Sequence, residues 1–313
     1  MASDTLTPPY QPRRPAQSRM LPIRDLQHHV LEWGTAREGQ PLLVLCHGWM
    51  DVADSYQFLV DALQQERHII APDWRGFGNT PATQADHFIF ADYLLDLDYL
   101  LDHFAGDTPV DLVGHSMGGN IVTQYAGVRP QRVRRLVNLE GFGLPATKPE
   151  DAPQRLMQWM DNVRALRAGT LKLRHYPDLP AVARRLQQTN ARLPLDKALW
   201  LARRWAEQDA EGHWHIQAHA GHKIPNHQLY HADEAMACLA CITAPTLCVE
   251  ARDDSIAQFW GERYTQEEYR ARMARIPDVR HATVDDAGHM LHHDQPEVLA
   301  RLIEDFLGAE QPA

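Results

Sequence analysis

Cysteine is scarce, with four residues among 313, at positions 46, 238, 241 and 248. So few thiols in a chain of this size exclude a disulfide framework. Cys238-x-x-Cys241 has no second pair to complete a zinc or redox site, and Cys46 and Cys248 fall in apolar runs, so all four read as structural thiols. Cationic side chains are also in deficit, 31 Lys and Arg against 41 Asp and Glu, for a formal net charge of −10. Such a field repels nucleic acid and anionic lipid surfaces, so polyanionic partners are not expected. A mean hydropathy of −0.44 argues against a membrane class. Residues 1–19 contain Pro8, Pro9, Pro12 and Pro15 among polar neighbours and lack the apolar stretch of a signal peptide. They are expected to form a flexible arm on a cytoplasmic protein.

What is present is the composition of a globular protein, 44% hydrophobic and 23% charged. Short apolar runs bounded by turn residues predict strands at 20–23, 28–33, 41–46, 68–71, 110–113, 133–139, 246–250 and 280–284. Helical patterns separate them at 56–65, 89–104, 119–128 and 296–307. This alternation predicts a doubly wound, mostly parallel α/β sheet of eight strands. Residues 144–244 interrupt it with a stretch rich in Arg, Ala, Leu and Gln, too long for a loop. The expected organisation is a core of residues 20–143 and 245–313, with 144–244 as a helical cap over the carboxyl edge of the sheet, where α/β folds bind ligands.

Directly after the run at 110–113 stands Gly114-His115-Ser116-Met117-Gly118-Gly119. A serine hydroxyl is a poor nucleophile unless a turn exposes it to an imidazole, and flanking glycines give such a turn room. Other landmarks follow strands in order: His47-Gly48-Trp49, Asp73-Trp74-Arg75-Gly76-Phe77-Gly78, Ala251-Arg252-Asp253-Asp254 and Ala287-Gly288-His289. With these landmarks the chain resembles the α/β-hydrolase superfamily, in its capped, esterase-like serine-hydrolase branch. The resemblance implies Ser116 as nucleophile, His289 as general base and Asp254 as the acid that orients it, with Glu140 and Asp253 as alternative acids. It also implies an oxyanion hole from the N–H groups of Trp49 and Met117. His47, His115 and the Asp73 to Gly78 turn are expected to be structural, with Arg75 in an ion pair.

Within the cap, His222 and Trp159 are candidate substrate contacts. The run from His213 to His222 offers imidazoles, yet its spacing matches no metal signature and no carboxylate pair completes it, so no metal is expected. The expected function is cofactor-free hydrolysis of a small-molecule carboxylic ester, or of a lactone, thioester or carbon–carbon bond, by a monomer or homodimer. Serine at position 116 disfavours the dehalogenase and epoxide hydrolase branches, which need a carboxylate there. The alternatives are a cofactor-free dioxygenase of a heteroaromatic substrate and a non-enzymatic binding protein on the same fold.

Overall fold

The computed structural model describes residues 9–84 and 87–309. Strands β1 (Gln17–Ile23) and β2 (Leu26–Trp33) form an antiparallel hairpin, with Gln17 opposite Glu32 and Ile23 opposite Leu26. Strand–helix alternation follows: β3 (Leu43–Cys46), α1 (Gln57–Ala62), β4 (Ile69–Pro72), α2 (Phe90–Ala105), β5 (Val110–His115), α3 (Met117–Val128) and β6 (Val133–Leu139). The intervening region holds α4 (Ala152–Arg167), β7 (His175–Tyr176), α5 (Leu179–Thr189), α6 (Leu195–Trp205), β8 (Ala206–Gln208), β9 (Trp214–Ile216) and α7 (Ala232–Ala240). The chain closes with β10 (Thr246–Ala251), α8 (Ser255–Trp260), α9 (Gln266–Met273), β11 (Val279–Val284), α10 (Leu291–Asp294) and α11 (Pro296–Gly308).

The main sheet has the order β1-β2-β4-β3-β5-β6-β10-β11, and β2 runs antiparallel to the other seven strands. It is eight-stranded and mostly parallel, as the apolar runs predict. The two-residue period of a strand explains why both faces need helices. Val44 and Cys46 of β3 join one core with Leu97 and Leu101 of α2 and Ile121 and Val122 of α3. Leu43 and Leu45 point the other way, into a second core with Leu59 of α1 and Leu299, Ile303 and Phe306 of α11. Each such buried aliphatic or aromatic side chain contributes about 1.5–3 kcal/mol over its exposed state. Among the described residues, no helix is long and apolar enough to cross a membrane.

Two expectations about organisation are corrected. Residues 1–8 of the expected arm lie outside the described residues, but from Tyr10 onward the chain is docked. The Tyr10 ring packs edge-on to Phe58 and Trp200, at 5.0 and 5.2 Å, and its hydroxyl bonds the Asp61 carboxylate. Asp61 also accepts the N–H groups of Arg13 at 2.9 Å and Arg14 at 2.8 Å, which leads the chain into β1. The prolines disfavour helix here, yet one aromatic anchor and one buried carboxylate suffice to hold an extended segment.

The region 144–244 is mixed rather than wholly helical. It contains a three-stranded antiparallel sheet in the order β7-β9-β8, and its own apolar cluster, including Val182, Leu186 and Leu201, meets Val52 and Phe58 of the core. Helix α7 packs on α3 so closely that a Cβ on Gly127 would stand 2.1 Å from Cys238 O. The chain has therefore rejoined the core before residue 244.

Candidate active site

Ser116 sits between β5 and α3 with φ +52° and ψ −115°, a left-handed backbone that costs a non-glycine residue about 1–3 kcal/mol. The turn is held by Ser116 N–H donating to Leu139 O at 2.8 Å and Asn120 N–H donating to Ser116 O at 3.0 Å. It is possible only because two neighbours lack side chains. A Cβ on Gly114 would lie 2.3 Å from Gly118 O, and one on Gly118 would lie 2.1 Å from Cys46 O. Met117 opens α3, so its N–H belongs to the first turn, which has no intrahelical acceptor. The loop after β3 lies alongside, where a Cβ on Gly48 would be 3.2 Å from Ser116 Cβ.

Four of the five non-glycine residues with positive φ among those described follow parallel strands: Met50 after β3, Ser116 after β5, Glu140 after β6 and Asp286 after β11. Backbone strain is thus concentrated at the carboxyl edge of the sheet, where ligands bind.

His289 lies on the loop between β11 and α10. Its Nδ1 is 3.2 Å from Glu140 Oε2, while Glu140 Oε1 accepts the Ala251 N–H at 2.7 Å. The Glu140 side chain is 1% exposed, and burial pushes its carboxyl up to about 8. Burial also pushes the His289 imidazole down to about 4. His115 is buried below the elbow and bonds His289 O through Nε2 at 2.7 Å, which fixes the loop from beneath. Phe259 stands edge-on to the His289 ring at 4.8 Å and is 54% exposed.

The other two candidate acids face elsewhere. Asp254 is exposed and caps α8, its Oδ1 accepting the Ala257 N–H at 2.8 Å. Asp253 pairs with Arg192 at 2.8 Å, and the same guanidinium reaches Asp286 at 3.2 Å. The carboxylate brought to His289 is therefore Glu140, and the expected Asp254–His289 contact is replaced by a helix cap. An aspartate directly before a short helix is a favoured N-cap, which gives its side chain a competing partner.

Trp49 is 53% exposed, and its indole N–H donates to His222 O at 3.2 Å. The next residue is also tied to the cap, since Trp205 Nε1 donates to Met50 O at 2.8 Å. His222 itself does not present its ring as a substrate contact. The imidazole is stacked between Phe77 and Phe88, 3.7 Å from each, and its Nε2 bonds Arg75 O at 3.1 Å. Burial pushes it down to about 3, so it is a neutral spacer in an aromatic stack. Trp159 of α4 packs against His227 and His87, at 5.5 and 6.0 Å. Of the residues expected to be structural, His47 bonds Gly48 O and accepts the Trp74 N–H, and Arg75 makes a two-pronged pair with Asp96 at 2.6 Å. Phe259 and the Arg192 clamp carry no sequence signal of their own, since each is defined by partners distant along the chain.

A doubly wound sheet with a strained serine between a central strand and its helix defines an α/β hydrolase. The chain belongs to the alpha/beta hydrolase fold family, whose model matches residues 41–296, and it is an enzyme of that family. It is 23% identical to a "Serine hydrolase-like protein" of Danio rerio, over 96% of this chain and 91% of the relative. A shorter match, 35% identical, covers 36% of this chain and 36% of a "Cis-3-alkyl-4-alkyloxetan-2-one decarboxylase" of Shewanella oneidensis. Among solved structures, the thioesterase domain from the curacin biosynthetic pathway superposes with a TM-score of 0.80 at 23% identity, covering 92% of this chain and 99% of that one.

Proposed function

We propose that the protein is a serine hydrolase that cleaves a carboxylic ester or related acyl compound through a covalent acyl-enzyme, with Ser116, His289 and Glu140 as its triad. The contact between His289 Nδ1 and Glu140 Oε2 at 3.2 Å, beside a nucleophile elbow, carries this reading. With Glu140 ionised, Nδ1–H donates to the carboxylate and the Nε2 lone pair is free to take the Ser116 proton. Ser116 Oγ then bonds the acyl carbon, and charge collects on the carbonyl oxygen before the N–H groups of Trp49 and Met117. His289 returns the proton to the leaving alcohol or thiol, and water repeats the sequence to release the acid.

Exposed Trp49 and Phe259 make apolar surface near the reacting atoms, which favours an acyl group of small or medium size. The names of the relatives support acyl chemistry, since they include a thioesterase domain and a serine hydrolase-like protein. The test is turnover of p-nitrophenyl esters of graded chain length, thioesters and lactones by the wild type and Ser116→Ala. Hydrolysis by the wild type and none by a folded Ser116→Ala is expected. Equal turnover by the two would overturn the proposal.

A further inference from the structure

We propose that the cap carries a binding site for one divalent ion of the zinc, cobalt or nickel kind, with His175, Asp209 and His213 as ligands. The proposal is independent of the role given to Ser116. The three side chains come from different parts of the small sheet: His175 from β7, Asp209 from just after β8, and His213 from just before β9. Their ligand atoms all lie within 4.8 Å of one another. Asp209 Oδ2 is 3.4 Å from His175 Nδ1 and 3.7 Å from His213 Nδ1.

These separations are long for a charge-assisted hydrogen bond, which closes to about 2.7–2.9 Å. Ligands about 2.0–2.2 Å from a tetrahedral ion stand about 3.3–3.6 Å apart, so the 3.4 Å separation matches a metal polyhedron and the 3.7 Å one closes to it with a small side-chain rotation. The carboxylate is already oriented for the task. Asp209 Oδ1 accepts the His213 N–H at 2.8 Å, while Asp209 N–H donates to His213 O at 2.9 Å, so the turn fixes one oxygen and aims the other at both imidazoles. Such outer hydrogen bonds are what hold a metal-binding carboxylate in place.

Two imidazole nitrogens and one carboxylate oxygen favour zinc, cobalt or nickel over magnesium or calcium, which prefer all-oxygen sites. Access is open, since the His175 and His213 side chains are 50% and 57% exposed. A depression of about 310 Å³, lined by His175 and Asp209 together with Leu171, Lys172, Leu173 and His219, adjoins the cluster and leaves room for water in the remaining positions. The ion would tie β7, which pairs with β9 at only two positions, to the β8–β9 turn. The histidine run alone lacks the carboxylate, because Asp209 precedes it and is brought in by the hairpin.

The test uses untagged, chelator-stripped protein titrated with Co2+ by visible absorption and with Zn2+ by calorimetry. Expected are one equivalent of saturable binding, cobalt d–d bands, and a higher Tm with Zn2+. His213→Gln and Asp209→Asn should each weaken binding about tenfold or more, with unchanged circular dichroism, whereas excess Mg2+ should not compete. No saturable binding at millimolar metal, or full binding by the Asp209→Asn/His213→Gln double variant, would overturn the proposal.

Discussion

Glu140→Gln separates the two candidate acids and makes opposite predictions for rate and stability. The amide keeps an oxygen for the Ala251 N–H, which Glu140 Oε1 now accepts at 2.7 Å, but presents an NH2 group to His289 Nδ1. That donor forces the proton onto Nε2, where it blocks uptake from Ser116. By analogy with the protease triad, the loss in kcat is about ten-thousand-fold. Stability moves the other way. Burial raises the Glu140 carboxyl from 4.5 to about 8, so the folded state keeps a proton that the unfolded chain has released in this window. Its contribution to stability therefore falls as pH rises from about 4.5 to about 8. At about 1.4 kcal/mol per unit the shift corresponds to about 4–5 kcal/mol, an upper bound on what Gln recovers above pH 8. Thermal unfolding at about pH 5 and about pH 9 should show the variant gaining on the wild type by up to about 4 kcal/mol across that interval. Asp254→Asn keeps the α8 cap and should alter kcat less than about threefold. A crippled Asp254→Asn beside an active Glu140→Gln would refute the assignment.

Burial raises Glu140 to about 8 and lowers His289 to about 4, so the form that the proposed triad requires, with both deprotonated, accumulates as pH rises. Ester hydrolysis should climb to a plateau above about pH 8 as the pair loses its last proton, and a rate that falls from pH 6 to 9 would contradict this. Gly118→Ala places a Cβ 2.1 Å from Cys46 O and should destabilise the fold by about 3 kcal/mol or more, read as a lower Tm; an unchanged Tm would refute the close approach. Trp49→Phe removes the 3.2 Å bond to His222 O and should lower kcat/KM a few-fold without unfolding the protein, in line with about 1 kcal/mol for such a bond.

The sheet was legible because its strands are apolar runs with both faces buried, and β5 through α3 carries the Gly114 and Gly118 signature of a tight turn. The positions of Ser116 and His289 in the fold were legible for the same reason, since each follows a strand of the main sheet. Which carboxylate lies beside His289 was not legible, because carboxylates follow both β6 and β10, and chain order does not show which one reaches the imidazole. What decides is conformation: φ +56° at Glu140 turns a long side chain toward His289, while Asp254 is claimed by its helix. Asp254-Ser255-Ile256-Ala257 carries a capping pattern, an aspartate directly before a short helix. The cap sheet escaped because β7 has two residues and β8 and β9 three each, too few for a period of two to register. Tyr10 escaped because one anchor in a proline-rich segment leaves no pattern at all.

Covalent trapping tests the central claim most directly. Folded wild-type protein treated with a fluorophosphonate should gain one adduct by intact mass, mapped to Ser116. The label should be absent from Ser116→Ala, strongly slowed in Glu140→Gln and unchanged in Asp254→Asn. Labelling at another residue, or none on the folded wild type, would contradict the account.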